Sequence, residues 1–278
     1  MARLVLQGEK LNLSLANEIA EQVSGQLTSP DGQAMVITTQ QTVDSAALNK
    51  LRADHAFDIN VLPEQFDPSQ TALLVTDMDS TLISIECVDE IADFINAKPQ
   101  VSAITEAAMR GEIDFETSLR QRVGLLKGLD VTVLDQVFEQ RLRLNPGAEI
   151  MLAGLKKKGI KTALVSGGFT FFTERLKQQF GLDYTLANVL AEHDGKLTGE
   201  IDGPICGAEA KADFLLKQCV ALTISPSQVI AMGDGANDLL MMKEAGLSIA
   251  YHAKPKVQSQ AQTVLNYCGL EGVLGILQ

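Results

Sequence analysis

Over the first seventy positions the apolar residues fall in short runs separated by polar breaks. Leu4-Val5-Leu6, Ala34 to Thr38 and Ile59 to Leu62 read as strands. Leu13 to Val23 and Ser45 to His55 carry their apolar residues at helical spacing and read as helices. Pro63 to Ser69 holds two prolines and little to bury, which reads as a linker. Residues 1–70 therefore form a small α+β N-terminal module. No catalytic constellation lies in it, which leaves dimerisation, ligand sensing or plain structural extension as its role.

From Ala72 the rhythm changes. Ala72-Leu73-Leu74-Val75 is apolar without alternation, the pattern of a strand buried on both faces. A long helical interval follows. Ile83 to Phe94 repeats apolar residues at Ile85, Val88, Ile91 and on to Ile95, and Pro99 can open a helix whose stripe runs through Val101, Ile104 and Ala108 toward Gly111. Asp114 can cap a helix over Phe115 to Lys127, Asp130 another over Val131 to Leu142, and Asn145-Pro146-Gly147 closes the block. This interval, about 84–145, reads as a helical cap inserted into the catalytic domain, residues 71–278.

Beyond the cap, helices over Ala148 to Lys158, Phe169 to Phe180, Ala208 to Cys219 and Leu239 to Ala245 alternate with strands. The strands lie at Lys161 to Val165, Gln228 to Met232, Leu247 to Ala250 and Thr263 to Tyr267, and a hairpin over Thr185 to Ile201 turns at Asp194-Gly195. Strand–helix alternation predicts an α/β fold, a Rossmann-like doubly wound parallel sheet.

Three buried strands run into polar turns, the last two of them glycine-containing: Asp77-Met78-Asp79-Ser80-Thr81, Ser166-Gly167-Gly168, and Gly233-Asp234-Gly235-Ala236-Asn237-Asp238. In open α/β sheets such turns meet at the carboxyl ends of the strands. Asp, Ser and Thr also cap helices, which is the plain structural alternative for each turn taken singly. Taken together the turns supply phosphoryl-transfer chemistry. Asp77, Asp234 and the Asp79 carbonyl are hard oxygen donors suited to Mg²⁺. Ser166 offers a hydroxyl, Gly167 an amide that an anion can approach closely, and Lys211 a positive charge for phosphate oxygens. A metal-bound carboxylate stays ionised and attacks while a second one carries a proton, so Asp77 reads as nucleophile and Asp79 as general acid and then base.

Composition narrows the partners. The 278 residues are 46% hydrophobic and carry a net charge of −12, a field that repels nucleic acid but tolerates a cation. No apolar run reaches membrane-span length, and Met1 to Leu6 meets Gln7, Gly8, Glu9 and Lys10 too soon for a signal-peptide core. Cys87, Cys206, Cys219 and Cys268 are scattered, as are His55, His193 and His252, so neither a disulfide framework nor a zinc site is indicated. A cytoplasmic protein with reduced thiols is expected.

The motifs Asp77-Met78-Asp79-Ser80-Thr81, Ser166-Gly167-Gly168, Lys211 and Gly233 to Asp238 resemble, in order, those of the haloacid dehalogenase superfamily. Ile85 to Glu90, Phe115 to Val123 and Asp194 to Gly199 are similar to stretches of its phosphoserine phosphatase family. The resemblance implies a Mg²⁺-dependent hydrolase that converts O-phospho-L-serine to serine and phosphate, the last step of serine biosynthesis. It further implies that Glu86 binds the substrate amino group and Arg122 its carboxylate, with Met109 and Phe115 lining the substrate space. Asn237 would contact phosphate or an active-site neighbour, and Asp238 would hold Lys211 or a metal-bound water, with capping of its helix as the plain alternative. On residues alone, Glu86 can equally be a helix N-terminal acid and Arg122 the partner of Glu112 or Glu116. A phosphotransferase delivering to a hydroxyl such as homoserine is the alternative activity. A cation-pump-like ATPase would need membrane spans, and a sensor with a dead core would lack one of Asp77, Asp79, Ser166, Lys211 or Asp234, all of which are present. Some members carry a βαββαβ amino-acid-sensing module before the catalytic domain, for which residues 1–70 look short. A homodimer is the expected assembly if any forms.

Overall fold

The computed structural model describes residues 1–29, 34–110 and 112–278, with only the backbone at Met109. Gly111, expected to end a cap helix, and the Met109 side chain lie outside the described residues.

The N-terminal residues form β1 (Ala2–Gln7), α1 (Leu13–Gln22), β2 (Gly25–Ser29), β3 (Met35–Thr39), α2 (Ser45–Asp54) and β4 (Asp58–Leu62). Asn12 and Asp44 cap the two helices, accepting from the Leu15 and Ala47 amides at 3.0 and 2.8 Å. The strands make an antiparallel sheet in the order β2-β3-β1-β4. Leu4, Leu6, Ile37 and Ile59 are wholly buried on its helix-covered face with Ile19 of α1. The apolar pattern predicts three strands, and the described residues form four. Gly25-Gln26-Leu27-Thr28-Ser29 has one large apolar residue and reads as loop, yet it pairs along β3. With it the βαββαβ order is complete within sixty-two residues, so these residues are not too short for that topology. The stretch after β4 also buries more than expected: Phe66 is 6% exposed and packs into the main core.

The second sheet has seven strands in the order β11-β10-β9-β5-β6-β7-β8. These are β5 (Leu73–Thr76), β6 (Lys161–Phe169), β7 (Tyr184–His193), β8 (Lys196–Asp202), β9 (Val229–Gly233), β10 (Leu247–Tyr251) and β11 (Thr263–Leu265). All neighbours are parallel except β7 and β8, which form the hairpin turned by Asp194 and Gly195, both at positive φ. The β5 strand sits at the centre, its Leu73 registered with both Lys161 and Val229. Leu73, Leu74 and Val75 have no exposure, as an unbroken apolar run requires. The strand order reverses at β5, and its carboxyl end therefore opens into the crevice where α/β sheets hold ligands.

Between β5 and β6 the chain makes α3 (Cys87–Asp93), α4 (Lys98–Met109), α5 (Phe115–Gly124) and α6 (Thr132–Gln136). Three helices are shorter than their periodicity predicts, α5 among them, which ends at Gly124 instead of Lys127. Ile83 bridges Leu144 and the Ser84 amide donates to the Arg143 carbonyl at 2.9 Å, so the first segment is extended until Cys87. The helix opened by Thr132 loosens into a wider turn over Val137–Arg141. The paired strands at 83–84 and 143–144 form the stem on which the helical insertion stands.

The two sheets meet where β4 faces β11. The Asn60 amide, with no solvent exposure, accepts from the Val264 N–H and donates to the Val264 carbonyl, both at 2.8 Å. Asp58 accepts three successive amides, from Asn266, Tyr267 and Cys268, at 2.7, 3.1 and 2.9 Å. Replacing Asn60 by Ala leaves a buried peptide group without partners. Asn60→Ala should lower the unfolding free energy by about 2 kcal/mol in denaturant titrations, and a change within experimental error would refute the junction's contribution.

Candidate active site

At the end of β5 the Asp77 amide donates to the Met232 carbonyl of β9 at 2.9 Å, which fixes the first carboxylate beside the β9 turn. Thr81 ties the two turns again, its hydroxyl donating to Asp234 Oδ1 at 3.0 Å. Asp77, Asp234 and Asp238 each bring a carboxylate oxygen within 4.8 Å of the others. Asp77 and Asp238 are buried and Asp234 is partly so.

One cation lies among these acids. Lys211, in the first turn of α9 (Ala208–Leu222; α7 and α8 are Ala148–Lys157 and Thr170–Phe180), has no solvent exposure. Its Nζ lies 2.8 Å from Asp77 Oδ1 and 2.7 Å from Asp238 Oδ1. Burial alone disfavours the ammonium, but Asp238 and Asp77 outweigh it and raise its pKa. Asp238 is further held by the Gly235 amide at Oδ2, 3.0 Å. Asp77 Oδ1 also accepts the Met78 amide at 2.7 Å. Among described residues Asp77 Oδ2 and Asp234 Oδ2 have no hydrogen-bond donor.

Three carboxylates share one ammonium, so negative charge is in excess. Burial, with the neighbouring Asp238 charge, pushes Asp77 well above the usual carboxylate range and Asp234 to about 6. An all-oxygen donor set with uncompensated charge and two free oxygens fits a hard divalent cation held by Asp77 and Asp234. Asp238 belongs to the same cluster, with both oxygens already engaged by Lys211 and Gly235.

Asp79 stands apart from that cluster. Its Oδ1 accepts the Cys87 amide at 3.1 Å, and its Oδ2 lies against Gly168, 2.8 Å from where a Cβ there would stand. Burial and the nearby Glu86 charge push its carboxyl up to about 7. Ser166 is fully buried and its Oγ accepts the Gly168 amide at 2.8 Å. Over Gly167 lies the ring of Phe115 from the helical insertion, so a Cβ at Gly167 would strike it. Asn237 folds its side chain over Gly235 in the last turn.

The remaining two predicted residues come from the insertion. Glu86 accepts the Ser80 hydroxyl at 2.7 Å and forms no capping bond in α3 although it occupies the N-cap position. Glu112 and Glu116, the expected alternatives for Arg122, pair instead with Arg110 at 2.6 Å and Arg120 at 2.8 Å. Arg122 closes no ion pair with a described residue. It faces the charges of Glu86, Asp89 and Asp79, while burial disfavours its own charge.

Sequence reasoning missed the residues that hold these groups in place. Asn188, 1% exposed in β7, donates to the Gly167 and Gly168 carbonyls at 2.8 and 3.3 Å and accepts the Cys206 amide at 2.8 Å. Asn145 donates to the Thr81 and Ile83 carbonyls at 2.8 and 3.1 Å, joining the stem to the first turn. An asparagine inside an apolar run, as in Leu186-Ala187-Asn188-Val189-Leu190, is the signal by which Asn188 could have been found; Asn145, in Leu144-Asn145-Pro146-Gly147, carries none.

The family model for haloacid dehalogenase-like hydrolases matches residues 71–246, which include Asp77, Ser166, Lys211 and Asp234. The chain belongs to the haloacid dehalogenase-like hydrolases. A phosphoserine phosphatase of Polaromonas sp. is 56% identical over 225 residues, 79% of this chain and 95% of the relative. A haloacid dehalogenase hydrolase from Salmonella enterica serovar Typhi superposes with a TM-score of 0.92 at 33% identity, over 100% of this chain and 99% of that one. A phospho-aspartyl intermediate analogue of a phosphoserine phosphatase matches with a TM-score of 0.71 at 39% identity, over 75% of this chain and 99% of that one. The helical insertion thus decorates a hydrolase core of this family.

Removing the central cation tests the charge balance. Lys211→Met leaves two buried carboxylates unpaired, and its unfolding free energy near pH 7 should fall by about 3 kcal/mol or more. A smaller loss than that of an exposed lysine variant would contradict the arrangement.

Proposed function

We propose that this hydrolase cleaves the phosphomonoester of O-phospho-L-serine to give serine and phosphate, with Mg²⁺ as its metal. The observation that carries the reading is the junction of one free nucleophilic oxygen, Asp77 Oδ2, with a second carboxyl in the same turn, Asp79, held by the Cys87 amide of α3. The likeness to phosphoserine phosphatases, one of them in a phospho-aspartyl form, supports both substrate and route.

Lys211, Ser166 and the Gly167 backbone bind and orient the phosphate, with Asn237 at its edge. Asp77 attacks phosphorus and the phosphorus–oxygen bond to serine breaks, leaving a phosphoryl group on Asp77. Asp79 gives its proton to the departing serine oxygen. Asp79, now ionised, takes a proton from water, whose oxygen attacks phosphorus and frees phosphate and Asp77. When bound, Mg²⁺ neutralises charge on the transferring phosphoryl oxygens. Glu86 receives the substrate ammonium and Arg122 its carboxylate, the two handles that the phosphate groups ignore. The helical insertion closes over the site while the phosphoryl enzyme forms. Protease sensitivity of residues 84–145 should fall when a phosphate analogue is added, and equal sensitivity would refute closure.

The same reading makes the protein a cytoplasmic enzyme of serine biosynthesis. It leaves residues 1–70 a sensing or dimerising role, which light scattering with and without serine tests. No described helix is long and apolar enough to cross a membrane.

Phosphate release from O-phospho-L-serine should be abolished by Asp77→Asn and by chelation, and Mg²⁺ should restore the chelated enzyme. Arg122→Ala should lose the preference for phosphoserine over a neutral phosphomonoester. Turnover of other esters without phosphoserine activity would discard the substrate, and phosphate passed to added alcohols in place of water would favour a phosphotransferase.

A further inference from the structure

Ser80 follows the two catalytic candidates Asp77 and Asp79 and precedes Thr81, and its backbone is left-handed, with φ 56° and ψ 0°. Glycine adopts that conformation freely, whereas a residue with a Cβ meets steric resistance. A serine here must offset that strain through its side chain or be better replaced by glycine. The only hydrogen bond of its hydroxyl among described residues goes to Glu86 Oε1, at 2.7 Å.

The backbone around Ser80 is fixed from both sides. Its amide donates to the Ile85 carbonyl at 3.3 Å, which folds residues 80–85 into a closed loop. Asp79 before it is bound by the Cys87 amide, and Thr81 after it by Asp234. Glu86 is different. It is exposed, has no capping bond and closes no ion pair with a described residue, so nothing else among the described bonds restrains its three side-chain torsions. A glutamate free to rotate loses entropy when it receives a ligand, and holding it in place beforehand removes that cost.

We propose that Ser80 is a positioning residue for substrate specificity: its hydroxyl holds Glu86 Oε1 and leaves Oε2 free for the substrate ammonium. This rests on the reading of Glu86 as the ammonium's partner. The strained backbone is what aims the hydroxyl, since it turns the Ser80 Cβ from the direction a right-handed residue would give it.

The test compares kcat/KM for O-phospho-L-serine with that for 3-phosphooxypropanoate, which keeps the carboxylate and lacks the ammonium. Wild type, Ser80→Gly, Ser80→Ala and Glu86→Gln are assayed as full chains. Both Ser80 variants should lose the preference for phosphoserine by roughly tenfold, the worth of one hydrogen bond to a charged group. The loss should lie in KM for phosphoserine more than in kcat. Ser80→Gly should melt no lower than wild type, because glycine fits the backbone. If Glu86→Gln loses the preference while both Ser80 variants keep it, the proposal is wrong. A loss in Ser80→Ala alone also overturns it, since backbone strain and not the hydroxyl would then be responsible. If Glu86→Gln itself keeps the preference, the reading of Glu86 fails and takes the role of Ser80 with it.

Discussion

A fully buried ammonium held between two buried carboxylates is the interaction on which the rest of the molecule depends. Lys211, Asp77 and Asp238 come from the start of α9, the end of β5 and the turn after β9, and none of the three is tolerable in the interior alone. The desolvation of each group is offset only when all three segments are in place. The parallel sheet and the helix that crosses it are therefore committed to one arrangement by the charges at its centre. The remaining negative charge, on Asp234 and the free oxygen of Asp77, is what the fold leaves for a divalent cation.

Much of this was legible in the chain because parallel buried strands are written as continuous apolar runs. Ala72 to Val75, Lys161 to Val165 and Gln228 to Met232 are such runs, and a polar residue at the end of each stands out. Where an element's stability comes from its partners, the pattern is silent. The β2 strand has one large apolar residue and exists because β3 pairs with it. Ile83 and Ser84 continue a helical stripe by spacing, but backbone bonds to Arg143 and Leu144, sixty residues away, keep them extended.

The same limit applies to the site. Asp77, Asp79, Ser166 and Asp234 are readable because each ends or follows a strand, and Lys211 because it stands in the first turn of a helix; each carries its chemistry on its own side chain. Asn188 and Asn145 carry none. Their effect lies in the carbonyls and amides they join: Gly167, Gly168 and Cys206 for one, Thr81 and Ile83 for the other. An amide side chain is the only neutral group that both donates and accepts in the manner of a peptide, and the fold uses it where two loops must be fixed without adding charge beside an already crowded set of carboxylates.

A third amide, Asn60, has a consequence for the protein's behaviour at high concentration. The β11 strand is the last of its sheet, and its outer peptide groups are a template on which any extended chain could add. Asn60 imitates one residue of such a chain and fills that place with a side chain that cannot propagate further. Asp58 does the same to the next three amides. The N-terminal sheet is thus a stopper on an open edge, and loosening it would leave a hydrolase core that self-associates.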